Sequence, residues 1–200
     1  MVLLRKRRPF YKHHFAAGHA ITYKSSGLLK TYEHYLNLSE TQHVLVIGSG
    51  SGLIPMFFAE LFTEDQSSTV TLIDAGLPTA GFGHPWGEEG WAYQNSDMFQ
   101  FHSQIILILR KSDEGLKYLI RNKKKYHVIF IDANHSESFV YSDIEKSVLL
   151  LSAKGVIILH DGNLTSVQNA AYKFLLKEKK FKLIEKIISG AGVIIIGRNG

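Results

Sequence analysis

The sequence predicts an α/β fold: a doubly wound, mostly parallel sheet of seven strands whose last pair forms an antiparallel hairpin. Three observations predict it. Apolar runs alternate with helix-like segments along most of the 200 residues. Most of these runs are continuous, as in strands covered on both faces. The last two runs are separated only by Ser189-Gly190-Ala191, a connection short enough to demand an antiparallel return.

Residues 1–24 are basic and aromatic and read as an arm or irregular lead-in. Over 26–38, Leu28, Leu29, Tyr32, Tyr35 and Leu36 recur at helical spacing. The organisation expected is therefore an N-terminal basic arm and helix over 1–40 and one α/β domain over 41–200. Strands are expected at 43–48, 69–74, 104–109, 127–132, 155–160, 182–188 and 192–197. Helices are expected at about 53–63, 112–122, 137–151 and 165–178. Pro55 falls in the first turn of its helix, where a missing N–H costs little. In the last helix Val167, Ala170, Ala171, Phe174 and Leu175 form one apolar stripe. Residues 76–103 break the pattern. Gly76, Gly81, Gly83, Gly87 and Gly90 stand among Phe82, Trp86, Trp91, Tyr93, Phe99 and Phe101, where a crossover helix belongs. They read as a long loop, either functional or an insertion packed over the sheet.

Composition narrows the class. Hydrophobic residues make up 45% and charged residues 20%, as in globular proteins. No apolar run approaches the roughly 18 residues of a membrane span. The basic start lacks an apolar segment of the secretory type, and there is no cysteine for a disulfide, thiolate site or nucleophile. A cytoplasmic location is expected. The net charge is +5, with basic clusters at Arg5–Arg8, Arg121–Lys125 and Lys177–Lys182. These read either as solvated surface or as a patch for an anionic partner. No RNA-binding motif accompanies them, so a nucleic-acid partner is disfavoured.

In open parallel sheets, ligands sit beyond the carboxyl ends of the strands. The first strand runs into Gly48-Ser49-Gly50-Ser51-Gly52 just before a helix start. This is either a nucleotide-type turn or an ordinary tight one. Leu53 departs from the small residue that the dinucleotide fingerprint wants, and no lysine marks a phosphate loop. Asp74 closes the second strand, where a carboxylate accepts hydrogen bonds from a ribose diol or caps a turn. Arg110-Lys111-Ser112-Asp113 follows the third, Asp132-Ala133-Asn134-His135 the fourth and His160-Asp161-Gly162-Asn163 the fifth. Asp132 and Asp161 end neighbouring strands about 5 Å apart and can reach one cation. Mg2+ suits such oxygen ligands, with Asn163 as a third, while His160 would serve only a softer metal or support the site from outside. The alternative is that one aspartate caps a helix and the other binds a cofactor. His135, on the loop of Asp132, could take a proton from a substrate hydroxyl.

Together these residues resemble class I S-adenosylmethionine-dependent methyltransferases over about residues 40–198. The matching elements are Val44–Gly52, Asp74 closing the second strand, and the strand order with its terminal hairpin. Ile129–Ser136 followed by Lys154–Asp161 is similar to a branch of small-molecule and sugar O-methyltransferases, as is Gly81–Trp86. The resemblance implies a Rossmann-like fold and S-adenosylmethionine as cofactor, with Mg2+ as a candidate cation. It places Gly48, Ser49, Gly50 and Gly52 along the cofactor's methionine and ribose, Asp74 on the ribose hydroxyls, and Ser112 and Asp113 near adenine. Asp132 falls at the cofactor and catalytic end. Asp132 and Asp161 match metal ligands, and His135 matches a general base. A small-molecule or sugar acceptor is implied, and a homodimer is left open. The chain departs from the family at Val46, where an acidic residue is usual, and beside Asp161, where metal-dependent members carry a second oxygen ligand and this chain has His160 and Gly162. RNA methylation and a non-catalytic binding protein are the alternatives.

Overall fold

The structure is a computed structural model that describes residues 28–48, 53–62, 65–75 and 104–200. Helix α1 (Leu28–His34) precedes β1 (His43–Ile47), α2 (Leu53–Leu61) and β2 (Thr69–Asp74). Then come β3 (Ile105–Leu109), α3 (Ser112–Arg121), β4 (Tyr126–Ile131), α4 (Glu137–Leu150) and β5 (Leu151–His160). The chain ends with α5 (Thr165–Lys177), β6 (Phe181–Ile187) and β7 (Val193–Arg198). The expected arm, the 76–103 stretch, Ser49, Gly50 and Gly52 lie outside the described residues.

The seven strands form one sheet in the order β3-β2-β1-β4-β5-β7-β6. The first five run parallel, and β7 pairs antiparallel with both β5 and β6. The mostly parallel sheet with a closing hairpin is as the sequence predicts. One boundary differs. The pairing of β4 with β5 jumps from Tyr126↔Leu151 to Val128↔Val156, so β5 begins directly at the end of α4, earlier than its apolar run suggests. Ser152, Ala153 and Lys154 fall in that jump; two of them are polar and none is buried, which hides the strand start from a hydrophobicity reading.

Alternation sorts the strand residues onto two dry faces, because successive side chains point to opposite sides. Val44, Val46, Val70, Leu72, Val128, Phe130 and Ile158 pack with Tyr32 of α1 and with Ile54, Phe58 and Ala59 of α2. Leu45, Ile47, Ile73, Ile129, Ile131, Ile157 and Leu159 face Leu116 of α3, Val140 and Ile144 of α4, and Phe174 of α5. Each fully buried side chain of this size contributes about 1.5–3 kcal/mol. The stripe read in α5 is buried as expected at Val167, Ala170, Ala171 and Phe174. Gly115 lets α3 approach β2 closely: a Cβ there would lie 2.7 Å from Ile73 Cγ2. Two covered faces leave the strand ends as the places where polar side chains collect.

Candidate active site

The strand order reverses between β1 and β4, where the crossovers on either side run to opposite faces. Backbone bonds tie the strand ends together at that point. Gly48 N–H donates to Ile73 O at 2.8 Å, and Asp132 N–H donates to Ile47 O at 2.8 Å. Gly48 has φ +83°, and a Cβ there would collide with the Asp132 carbonyl and lie 2.8 Å from Ala133 Cα. Both the backbone conformation and the close approach demand glycine. The first residue of the glycine turn is thereby fixed against the loop that carries Asp132.

That loop is held by its own side chains. Asn134 Oδ1 accepts from Ser136 N–H at 2.8 Å and Ser136 Oγ–H at 2.6 Å, a turn that leads into α4. His135 is thus presented over the sheet edge. On the neighbouring strand Ile131 pairs with Leu159, which sets Asp132 beside His160. Asp161 has φ +54°, a left-handed conformation that aspartate tolerates better than most residues.

Four side chains converge there. His135 Nε2 lies 2.8 Å from Asp161 Oδ2 and 3.3 Å from Asp132 Oδ1. His160 Nδ1 lies 3.3 Å from Asp132 Oδ1 and 3.5 Å from Asp161 Oδ2. The His160 ring packs against Phe130 with centroids 6.0 Å apart. Side-chain exposure runs from 10% at His160 to 27% at Asp161, so the cluster is sheltered yet reachable.

Charge and burial compete in this cluster. Bonds to Asp132 and then Asp161 push His135 up to about 9. Burial pulls His160 down, but the two carboxylates outweigh it and push it up to about 10. Burial pushes both carboxyls up, and the two imidazoles more than reverse this, holding Asp132 and Asp161 below the usual carboxylate range. At neutral pH the four groups form a balanced set of two cations and two anions.

The remaining expected residues divide. Asp74 ends β2, with its carbonyl accepting from Arg110 N–H at 2.9 Å. Ser112 and Asp113 open α3, beyond the end of β3. Bonds from Lys117 (2.7 Å) and Lys146 (3.1 Å) lower the Asp113 pKa. The structure brings Asp132, His135 and Asp161 together and does not bring Asn163 to them. The Asn163 amide donates to Ile188 O at 3.0 Å and Gly190 O at 3.1 Å, which commits it to the β6–β7 hairpin. The oxygen-rich set that suits Mg2+ is therefore not assembled: two carboxylates stand with two imidazoles instead.

Sequence reasoning missed Tyr32. Its ring meets Phe130 edge-on at 5.2 Å, its hydroxyl is buried without a hydrogen-bond partner among the described residues, and Asp132 and Asp161 both act on it. Its helical spacing marks it as a core residue. Nothing in the sequence says that its hydroxyl lies near the cluster.

A family described as a methyltransferase domain matches residues 45–162, from β1 to just beyond Asp161. The chain belongs to the class I S-adenosylmethionine-dependent methyltransferase family. No curated protein has a sequence that matches it. Solved methyltransferases share its fold. One is a methyltransferase from Podospora anserina bound to SAH, with 16% identity and a TM-score of 0.66, covering 88% of this chain and 78% of that one. Another is an O-methyltransferase from Bacillus cereus in complex with SAH, with 15% identity and a TM-score of 0.64, covering 94% and 84%. A third is a TDP-rhamnose 3′-O-methyltransferase of calicheamicin biosynthesis, with 15% identity and a TM-score of 0.61, covering 88% and 78%. In this methyltransferase the matched segment contains all four side chains of the cluster.

Proposed function

We propose that this methyltransferase transfers the methyl group of S-adenosylmethionine to a hydroxyl of a small molecule or sugar. The observation that carries the reading is the convergence of Asp132, His135, His160 and Asp161 beside Gly48 at the strand-order reversal. A hydroxyl is a poor nucleophile at neutral pH, and an acid–base cluster beside the cofactor turn is what its methylation requires.

The cofactor lies across the carboxyl ends of β1 to β4 in this reading. Gly48, Ser49, Gly50 and Gly52 follow its amino-acid and ribose portion, Asp74 accepts from the ribose hydroxyls, and Ser112 and Asp113 border the base. The methyl group then faces Asp132. As the hydroxyl oxygen attacks the methyl carbon, the bond from carbon to sulfur breaks and the hydroxyl proton passes to the cluster. Holding oxygen, carbon and sulfur in line supplies much of the acceleration, and proton removal typically supplies about 10²–10⁴-fold. His135 accepts that proton only after shedding the one its two carboxylate contacts stabilise. An arriving hydroxyl that displaces Asp161 from Nε2 removes one of those contacts.

The fold of the two O-methyltransferases named above supports an oxygen acceptor. The two described basic clusters give the RNA reading no support: Arg121–Lys125 leads into β4 and Lys177–Lys182 into the start of β6, at the end of the sheet opposite the cluster.

The test is calorimetric titration with S-adenosylmethionine and SAH, followed by a screen of hydroxylated acceptors for SAH release. Micromolar binding that Asp74→Ala abolishes is expected. A protein that binds neither compound overturns the reading.

A further inference from the structure

We propose that the amino-end edge of the sheet is a docking surface for an anionic lipid bilayer. The lysines of the two described basic clusters meet the headgroups, and one exposed apolar side chain from each of α3, α4 and α5 enters the interface. The inference goes beyond methyl transfer, which leaves these clusters without a task.

Topology gathers the surface. A helix that joins two parallel strands returns the chain to their amino end, so α3, α4 and α5 all finish at this edge. They lie on one face of the sheet, where Leu116, Ile144 and Phe174 share a single apolar cluster. Strand β7 runs back to the same edge, with Arg198 paired to Phe181. Segments 121–125, 151–155, 178–182 and 197–200 meet there and carry nine lysines and arginines against one acidic residue, Glu178. Hydrogen bonds join them. Lys125 Nζ donates to Leu149 O at 2.7 Å, and the Arg198 guanidinium donates to Val148 O at 3.5 Å. Asn199 N–H donates to Lys180 O at 2.8 Å. The last turn of α4 is thereby held between Lys125 of one basic cluster and Arg198, whose neighbour Asn199 holds the other. Lys123, Lys124, Lys179 and Lys180 are exposed around it.

The apolar members select the partner. Tyr118, Leu149 and Leu176 stand in the last turns of α3, α4 and α5 and are 53%, 57% and 72% exposed. Helix dipoles account for cations near these ends, but not for exposed leucines among them. A lipid surface accounts for both: anionic headgroups take the cations, leucine enters the acyl boundary, and tyrosine sits at the interface. A polynucleotide engages the same lysines, yet it draws on aromatic platforms and gains little from leucine. The arrangement also fits the reaction. The Asp132–Asp161 cluster lies at the other edge, about 20 Å along β4, and so faces away from the bilayer.

The experiment sediments the full chain, free of any affinity tag, with vesicles of phosphatidylcholine alone and of phosphatidylcholine mixed with phosphatidylserine. Binding that requires phosphatidylserine is expected, weakening by about 10-fold or more as salt rises from about 0.1 M to about 0.5 M. The double variants Lys123→Glu/Lys124→Glu and Lys179→Glu/Lys180→Glu should each weaken it by about 10-fold or more. Leu149→Ser/Leu176→Ser should weaken it by about 5-fold or more. All these side chains are exposed, so the urea midpoint and SAH binding should match the parent in each variant. Four results overturn the proposal. They are no binding to phosphatidylserine, equal binding to phosphatidylcholine alone, and binding that ignores all three variants but is lost when residues 5–8 become alanine. The fourth is tighter binding to an RNA homopolymer that ignores the leucine substitutions, which would reassign the surface to a polynucleotide.

Discussion

Each end of the sheet carries a pair of histidines brought together by neighbouring strands, and the two pairs behave in opposite ways. At the amino end, His43 N–H donates to His127 Nδ1 at 3.0 Å, and His43 Nδ1 lies 2.9 Å from Thr69 Oγ1. Burial, the neighbouring His127 and Lys124 lower the His43 pKa. At the carboxyl end, His135 and His160 meet two carboxylates and rise to about 9 and about 10. The amino-end pair is spent on joining β1, β2 and β4. The carboxyl-end pair is bonded to ionisable side chains that an arriving ligand can displace. The residue type does not make a site; what it is bonded to does.

The largest expected effect tests that contrast directly. His135→Ala should slow methyl transfer by about 10²–10⁴-fold, the range that proton removal from the hydroxyl supplies, with SAH affinity retained. His127→Ala should leave the rate within a few-fold and cost about 1 kcal/mol of stability through the lost backbone bond. Steady-state rates and urea unfolding of both variants check this. Equal rate losses in the two would erase the distinction between the ends.

Gly48→Ala comes next. The left-handed backbone and the collision with the Asp132 carbonyl should together cost about 2–5 kcal/mol, read as a lowered urea midpoint. Gly155, near the amino end of β5, also lacks room: a Cβ there would lie 2.9 Å from His127 O. It has no positive φ, so Gly155→Ala should cost less. A larger loss at Gly155 would show that the carboxyl end is not the more constrained one.

What the sequence made legible follows the same division. The strands, the two covered faces and the hairpin rest on apolar periodicity and loop length, which are local properties; the order of the strands across the sheet came only through the family resemblance. The gathering of Asp132, His135 and Asp161 was legible because each sits just beyond a strand end in a parallel sheet. The orientation of Asn163 was not. Its spacing matched a ligand, but the hairpin carbonyls at Ile188 and Gly190, distant in sequence, claim its amide. Likewise, periodicity reports that Tyr32 is buried and cannot report where its hydroxyl ends up.

Asp143 sharpens the rule that partners decide. It is buried in α4, its Oδ2 without a partner among the described residues, and burial outweighs the opposing influence of Ser112 and Lys146, raising its pKa to about 6. Asp132 is half-buried, and its imidazoles pull it the other way. Because the folded pKa of Asp143 exceeds the ordinary carboxylate value, its ionised form costs stability above about pH 6. That cost is relieved as pH falls through 6 and is gone below the unfolded value of about 3.9. Asp143→Asn should therefore stabilise the protein by about 1–3 kcal/mol at pH 7, with the gain vanishing near pH 4. A gain that does not depend on pH would locate the effect in packing instead.

Tyr32→Phe is the smallest and the most discriminating change. It keeps the ring against Phe130 and removes only the hydroxyl. A buried hydroxyl without a partner costs about 1–3 kcal/mol, so the phenylalanine variant should be as stable as the parent or about 1 kcal/mol more so, read as the urea midpoint. A less stable variant would mean that the hydroxyl already has a structural partner and belongs with the packing of the core, like the histidines of the amino end.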